Sequence, residues 1–445
     1  MSLAERVREV EGIGMADDAT SRVPALGVEE LRRDIRRWTS LEAIAAIMVD
    51  NPHRARNELR SSCRHALAEP KWDGLSGAKK RALVEELIDV VFGMGPVEGL
   101  VEDESVTEIM VNGSGSIFFE RNGKLVKSDL AFGSDEQVRV LIDRIISPLG
   151  RRIDESSPMV DARLPQGHRV HAVIPPIAID GPCLTIRAFT RRVMPLEAMR
   201  DAGSFDDDVM EFLGWLIRTK RNVVVAGGTG SGKTTMLNAL SRLIAPEERV
   251  ITIEDSAELK LGEDNHVVRM EARPRNAEGT GEVTIRQLVI NALRMRPDRI
   301  IVGECRSGEA LDMLQAMNTG HQGSLTTLHC NAPEDVIDRM ITMVRYAVDL
   351  PVDAIEAQIG NAFQYVIQVA RGSDGSRYLQ AIAEVVYDRH ARRCSIERVF
   401  DREAFSERGR WIRVPALASE IQAHPSFFSV SSEEVAAWER RVFGR

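Results

Sequence analysis

The sequence predicts an α/β protein whose main domain is built on a parallel sheet, preceded by a smaller α+β domain and an N-terminal helical domain. Three observations predict it. A β-branched run, Val223-Val224-Val225-Ala226, passes straight into a glycine-rich turn and then a helical pattern. Beyond it, apolar runs of strand length alternate with helical stripes, which implies parallel strands joined by right-handed crossovers. Ahead of it the spacing is first helical and then that of short strands and tight turns.

In chain order, residues 1–27 mix Glu, Arg, Asp, Gly and Ser with little periodicity and are expected to be a flexible tail. Residues 28–92 are expected to form a helical domain, because Leu41, Ile44, Ala45 and Met48, and again Leu83, Leu87, Val90 and Val91, keep helical spacing. Residues 93–190 are expected to form an α+β domain. Its strands are read at 106–111, 116–120 and 124–130 around an Asn122-Gly123 turn, its helix at 136–146, and further strands at 159–164, 169–174 and 184–189. A charged stretch, 191–208, is expected to be a hinge, and 209–445 the main domain, with a C-terminal extension from about 388.

The bulk numbers exclude some classes. The 445 residues carry a net charge of -9. With a pI near 5.7, that argues against a surface that coats nucleic acid, and no nucleic-acid partner is expected. No apolar run approaches the ~18 to 20 residues that span a bilayer, and Met1-Ser2-Leu3-Ala4-Glu5-Arg6 lacks a signal peptide's apolar core. A cytoplasmic chain is expected, with any membrane role reached through partners. The cysteines, Cys63, Cys183, Cys305, Cys330 and Cys394, are odd in number and scattered, which favours reduced thiols over disulfides or zinc.

The turn itself, Gly227-Gly228-Thr229-Gly230-Ser231-Gly232-Lys233-Thr234-Thr235, has the G-x-x-x-x-G-K-T spacing of a P-loop. Glycines leave the backbone N–H groups free to face phosphates, Lys233 matches the position that reaches the β and γ phosphates, and Thr234 offers a hydroxyl to Mg²⁺. The expected cofactors are ATP and Mg²⁺, on a RecA-like nucleotide-binding domain.

Ligands of open α/β sheets gather at the carboxyl ends of the strands. Here four strand-like runs end in polar groups: 223–226 in the phosphate loop, 249–253 in Glu254-Asp255-Ser256-Ala257-Glu258, 299–302 in Gly303-Glu304, and 324–328 in His329. Glu304 is read as the activator of an attacking water, with water-mediated hold on Mg²⁺ as the other reading. Glu258 is read as ordering Mg²⁺ or the same water. His321 and His329 are read as site residues at the active edge of the sheet.

Together these residues resemble the type II/type IV secretion ATPase superfamily, the hexameric motors of pilus assembly and secretion. The loop at 227–234, the acidic segment at 253–258, Gly303-Glu304 and the two-histidine box stand in that family's order. The segments 155–165, 292–299 and 317–321 look like the CpaF-type ATPases of Tad/Flp pilus systems. Cys305, Ser307 and Cys330 depart from the residues common in that branch, all as small side chains. The resemblance implies that Arg169 and Arg187, with help from Arg163, contact the nucleotide phosphates when a PAS-like, nucleotide-sensing domain at 93–190 closes. It also implies a homohexamer acting on an inner-membrane platform, peripheral to the cytoplasmic membrane, with pilin as the indirect cargo.

The function expected is therefore an ATP-hydrolysing motor of Tad/Flp-type pilus assembly or related secretion. One rival is a DNA- or protein-translocation ATPase of a conjugation-like type IV system, disfavoured by the acidic pI and the branch-specific segments. The other is a nucleotide-dependent switch with little hydrolysis, disfavoured by Glu304, His321 and His329.

Overall fold

Apolar residues at helical spacing bring three helices together near the start of the chain. Helices α1 (Ala25–Ile35), α2 (Pro52–Ala66) and α3 (Gly77–Phe92) bury Leu31, Ile35, Leu59, Cys63 and Leu87 against one another. The computed structural model describes residues 25–40, 44, 52–121, 123–149, 151–164, 167–188, 194–262, 264–275 and 279–444. The tail up to residue 24 lies outside them, as do Leu41, Ala45 and Met48 of the first expected stripe, whereas Ile44 is buried. The chain divides into two compact units, residues 1–190 and 191–445.

The rest of the first unit is a sheet with one helix behind it. After a short helix α4 (Glu98–Glu102), strands β1 (Val106–Asn112), β2 (Ser116–Arg121), β3 (Lys124–Lys127), β4 (Met159–Arg163), β5 (Arg169–Val173) and β6 (Cys183–Arg187) pair in the order β3-β2-β1-β6-β5-β4. Every pairing is antiparallel. Alternation puts Val111, Ile117, Val170, Ala172, Leu184 and Ile186 on one face. There they bury against Val138, Leu141, Ile142 and Ile145 of α5 (Asp135–Ile146), whose N-cap Ser134 accepts from the Gln137 amide.

The second unit begins with structure where a hinge is expected. Residues 191–193 lie outside the described set, but α6 (Leu196–Asp201) follows at once, and Leu196, Met199 and Phe205 sit in the unit's core. From Pro195 the stretch therefore packs as part of this unit, because its apolar residues find a partner in α7 (Asp207–Arg218).

Next come β7 (Val223–Gly227), α8 (Lys233–Ser241), β8 (Arg249–Glu254), β9 (His266–Glu271), α9 (Ile285–Ala292), β10 (Arg299–Val302), α10 (Glu309–Asn318), β11 (Leu325–Leu328), α11 (Asp335–Ala347) and α12 (Val352–Ala362). The chain closes with β12 (Tyr365–Arg371), β13 (Arg377–Asp388), β14 (Arg393–Asp401), β15 (Arg410–Trp411), α13 (Ala416–Ala423) and α14 (Ser432–Phe443). The sheet order is β15-β14-β13-β12-β7-β11-β10-β8-β9. From β12 to β9 all neighbours are parallel, and β13 to β15 add an antiparallel edge.

The central strands are buried on both faces, and β7 accordingly reads as an unbroken apolar run. Val223 and Val225 face a core with α7, α8 and the C-terminal helices, while Val224 and Ala226 face α9 to α12. The C-terminal segment is no loose appendage: Trp438 of α14 is fully buried, and its Nε1 donates to the Asp208 carbonyl at 2.9 Å. No helix among the described residues is long and apolar enough to cross a membrane.

Candidate nucleotide site

Strand β7 delivers the chain into the glycine-rich loop. A Cβ on Gly227 would stand 2.5 Å from both the Val369 carbonyl oxygen and Ser231 Oγ, so no larger residue fits there. Gly230 and Gly232 hold φ of +69° and +96°, conformations that side-chain-bearing residues rarely adopt. Gly232 also caps α8, so the unsatisfied N–H groups and positive dipole end of that helix open onto the loop. Ser231 Oγ donates to the Gly228 carbonyl at 2.9 Å, and Lys233, buried, donates from Nζ to the carbonyls of Gly227 at 3.1 Å and Gly228 at 2.9 Å. Thr234 is half-buried in the first turn of α8, while Thr229 and Thr235 are exposed. This cradle of glycines, amides and one buried ammonium fits a polyphosphate.

Glu304 stands just past the end of β10, beside the loop. Arg306 Nη2 donates to its Oε2 at 2.6 Å, and the same guanidinium reaches Asp255 Oδ2 at 3.3 Å. His329, just past β11, places Nε2 at 3.0 Å from Glu304 Oε1. That contact lies off the hydrogen-bond line, and Oε1 remains a buried acceptor without a hydrogen-bond donor. A buried carboxylate oxygen with a free lone pair fits the task of accepting from a water.

Lys233 Nζ completes the set, 3.2 Å from His329 Nε2 and 3.4 Å from Nδ1. An ammonium only donates, so the ring nitrogen turned towards it carries a lone pair. Burial first, and then the Lys233 charge, hold the His329 pKa below its ordinary value, with Glu304 opposing. His329 is accordingly a neutral imidazole at neutral pH.

The acidic segment after β8 is held to that strand through its backbone. Glu258 is half-buried, and its backbone amide, with that of Leu259, donates to Glu254 Oε2 at 2.7 and 2.9 Å. Glu254 is buried, and burial pushes its carboxyl up to about 7. Its Oε1 has no hydrogen-bond partner. A Cβ on Gly303 would stand 2.9 Å from Glu254 Cγ, so the glycine before Glu304 makes room for this carboxyl. Glu254 thus ties the Glu258 segment to the strand that carries Glu304. Neither Glu254 nor Arg306 was expected as a site residue from sequence. The signal for both was proximity alone, one at a strand's last position and the other two residues past Glu304.

His321 is a correction. It precedes β11 and His329 follows it, and four strand residues at about 3.3 Å each put roughly 13 Å between the two ends of that strand. Leu325 pairs with Val223 at the start of β7, whereas Leu328 pairs with Ala226 at the mouth of the loop. His321 therefore belongs to the amino edge of the sheet. There its Nδ1 donates to the Ala316 carbonyl at 3.0 Å, closing the C-terminus of α10.

In the first unit the three arginines form one row. Arg163 stands opposite Arg169 across β4 and β5, and Arg169 opposite Arg187 across β5 and β6. Cross-strand partners share a face, and this is the face away from α5. Arg163 also donates from Nε to the Gly167 carbonyl at 3.2 Å.

This fold and this loop define a class. A model of the family described as type II/IV secretion system protein matches residues 92–399, and the chain belongs to that family of secretion system ATPases. Among its relatives, a Mycobacterium tuberculosis (strain H37Rv) protein named for conjugal transfer is 38% identical over 312 residues, covering 69% of this chain and 87% of that one. The type IV secretion system protein VirB11 of Brucella suis biovar 1 is 33% identical over 344 residues, covering 70% and 94%. A crystal structure of the VirB11 ATPase from the Brucella suis type IV secretion system, in complex with sulphate, aligns at 31% identity over 68% of this chain and 96% of that chain, with a TM-score of 0.37.

Proposed function

We propose that the protein is a Mg-ATP-hydrolysing motor of a type II/IV secretion or pilus-assembly machine, acting as a ring of identical subunits. The observation that carries this is the convergence of Lys233, His329 and Glu304 beside the phosphate loop. Glu304 Oε1 takes a proton from a water whose oxygen attacks the γ phosphorus in line, and the bond from that phosphorus to the β–γ bridging oxygen breaks, releasing ADP. Lys233 and the loop amides hold the phosphates. Thr234 and Glu258 would hold Mg²⁺, and the ion would supply neutralisation of phosphate charge. Arg163, Arg169 and Arg187, set in one row on the α+β sheet, are the further guanidinium donors offered to phosphate oxygens.

The finer reading is Tad/Flp-type pilus assembly at the inner face of the cytoplasmic membrane, through platform proteins. It is supported by the segments at 155–165, 292–299 and 317–321. A second reading, a conjugation-like type IV system, is favoured by the names of the relatives, which include conjugal transfer protein TrbB of Rhizobium radiobacter, 33% identical over 286 residues.

Two experiments test these layers. Steady-state Mg-ATP hydrolysis by the purified protein and by Glu304→Gln, with solution mass measured with and without nucleotide, tests the motor. Hydrolysis that rises with assembly and falls at least about 100-fold in the variant supports it; Glu304-independent, negligible turnover returns the switch reading. Disrupting the gene in its host then separates the cargoes: loss of surface pili with intact DNA transfer supports pilus assembly, and the converse supports conjugation.

A further inference from the structure

A cavity of about 410 Å³ opens beyond the phosphate loop, between Gly228-Thr229 and His329-Cys330 on one side and a face of α11 on the other. Helical period builds that face. Asp335, Asp338, Arg339 and Thr342 fall at i, i+3, i+4 and i+7 and line the cavity, while Val336, Met340 and Met343 are buried and fix the helix. Arg339 brings a permanent cation to the wall. It is exposed, and no hydrogen bond or ion pair holds it among the described residues, whereas Arg306 is held by Glu304 and Asp255. Its charge reaches the groups at the loop, disfavouring protonation of both His329 and Cys330.

We propose that Arg339 is a further phosphate-binding residue, whose guanidinium contacts oxygens of the terminal phosphate of a nucleoside triphosphate from the far side of this cavity. The inference rests on the reading of the loop as a triphosphate site. Its physical content is discrimination. Lys233 and the loop amides hold phosphates that ATP and ADP share, whereas a cation set across the cavity from Gly228-Thr229 meets only the group that ADP lacks. A planar, unpaired guanidinium suits that group, because it gives parallel N–H donors to two oxygens and neutralises charge as the phosphoryl group transfers. Asp335 is already engaged, accepting from the Ala332 amide at 3.0 Å. Asp338 faces the same cavity as an opposing charge.

The test uses the full chain with Mg²⁺ and measures binding of fluorescent ATP and ADP analogues, together with steady-state hydrolysis, for wild type, Arg339→Gln, Arg339→Lys and Asp338→Asn. Arg339→Gln should lose about tenfold or more in ATP affinity while ADP affinity stays within about twofold. Its kcat should fall, Arg339→Lys should recover part of both losses, and Asp338→Asn should bind ATP at least as tightly as wild type. An unchanged ATP-to-ADP preference in Arg339→Gln overturns the proposal, and so does a parallel loss of both nucleotides. Equal losses in Asp338→Asn would mark a disturbed helix and also overturn it. A changed solution mass with an unchanged preference would make Arg339 a contact between copies instead. Wild type that binds neither nucleotide sinks the triphosphate reading itself, an outcome distinct from any failure confined to Arg339.

Discussion

His329 Nε2 lies 3.0 Å from Glu304 Oε1, and Arg306 Nη2 lies 2.6 Å from the other oxygen of the same carboxylate. Glu304 is thus held by its Oε2 from the side of Asp255, while its Oε1 faces a neutral imidazole and, beyond it, Lys233.

Arg306 is a positioning residue in this arrangement. Arg306→Gln is expected to lower kcat about tenfold while KM for ATP stays within about twofold, since the guanidinium aims the carboxylate and the loop binds the phosphates. Arg306→Lys should restore part of kcat. Steady-state kinetics of the two variants decide it, and a rise in KM with unchanged kcat would assign Arg306 to binding.

The arginine row predicts a loss of activity without a matching loss of stability. Replacing the middle member, Arg169→Gln, is expected to leave stability within about 1 kcal/mol of wild type. Hydrolysis should fall about tenfold or more. Thermal melts and turnover measured on the same preparation provide the comparison; loss of stability with full activity would make the row structural.

Glu254 predicts a pH dependence whose sign is fixed by its raised pKa. The carboxyl sits at about 7 in the folded chain and near 4.3 when unfolded. Its contribution is therefore fully present below about pH 4.3 and is lost as pH rises through about 7, a difference on the order of 3 kcal/mol. Glu254→Gln removes that titration. The stability gap between wild type and variant, from urea unfolding at pH 5 and pH 8, should move in favour of the variant at the higher pH. A gap that does not change with pH would show that Glu254 ionises normally.

Cys330 lines the cavity beside the loop, yet burial pushes its thiol up to about 11. Burial likewise raises Cys305, which lies within the core. Thiolate is the reactive form, so alkylation at pH 7.5 should leave hydrolysis unchanged over minutes and become fast only near pH 10. Rapid, ATP-protected inactivation at neutral pH would reveal an activated thiol.

Much of this site was legible because it is local. Close approach at Gly227 and left-handed backbone at Gly230 and Gly232, followed by Lys233, dictate the loop, since no other residue fits those three positions. The apolar runs of β7 and β10 likewise announced buried strands, while β8 and β11 bury threonines among their apolar residues. Strand β9 went unread because its edge position leaves it partly exposed, with no clean alternation. Within the stretch read as a hinge, charged residues between 200 and 208 mask Leu196, Met199 and Phe205, which pack into the core.

By itself, then, the sequence determined the fold class, the phosphate loop and the identity of Glu304 as the acid past a strand end, because backbone conformation and strand burial are written in neighbouring residues. Only the tertiary structure decided which histidine meets the loop. His321 and His329 look equivalent in the sequence, but a strand has direction, and β11 carries one to each edge of the sheet. Register decided the rest, setting Arg163, Arg169 and Arg187 side by side and bringing Glu254 against Gly303. Such contacts join residues far apart in the chain, and pairing across strands, rather than any local preference, fixes them.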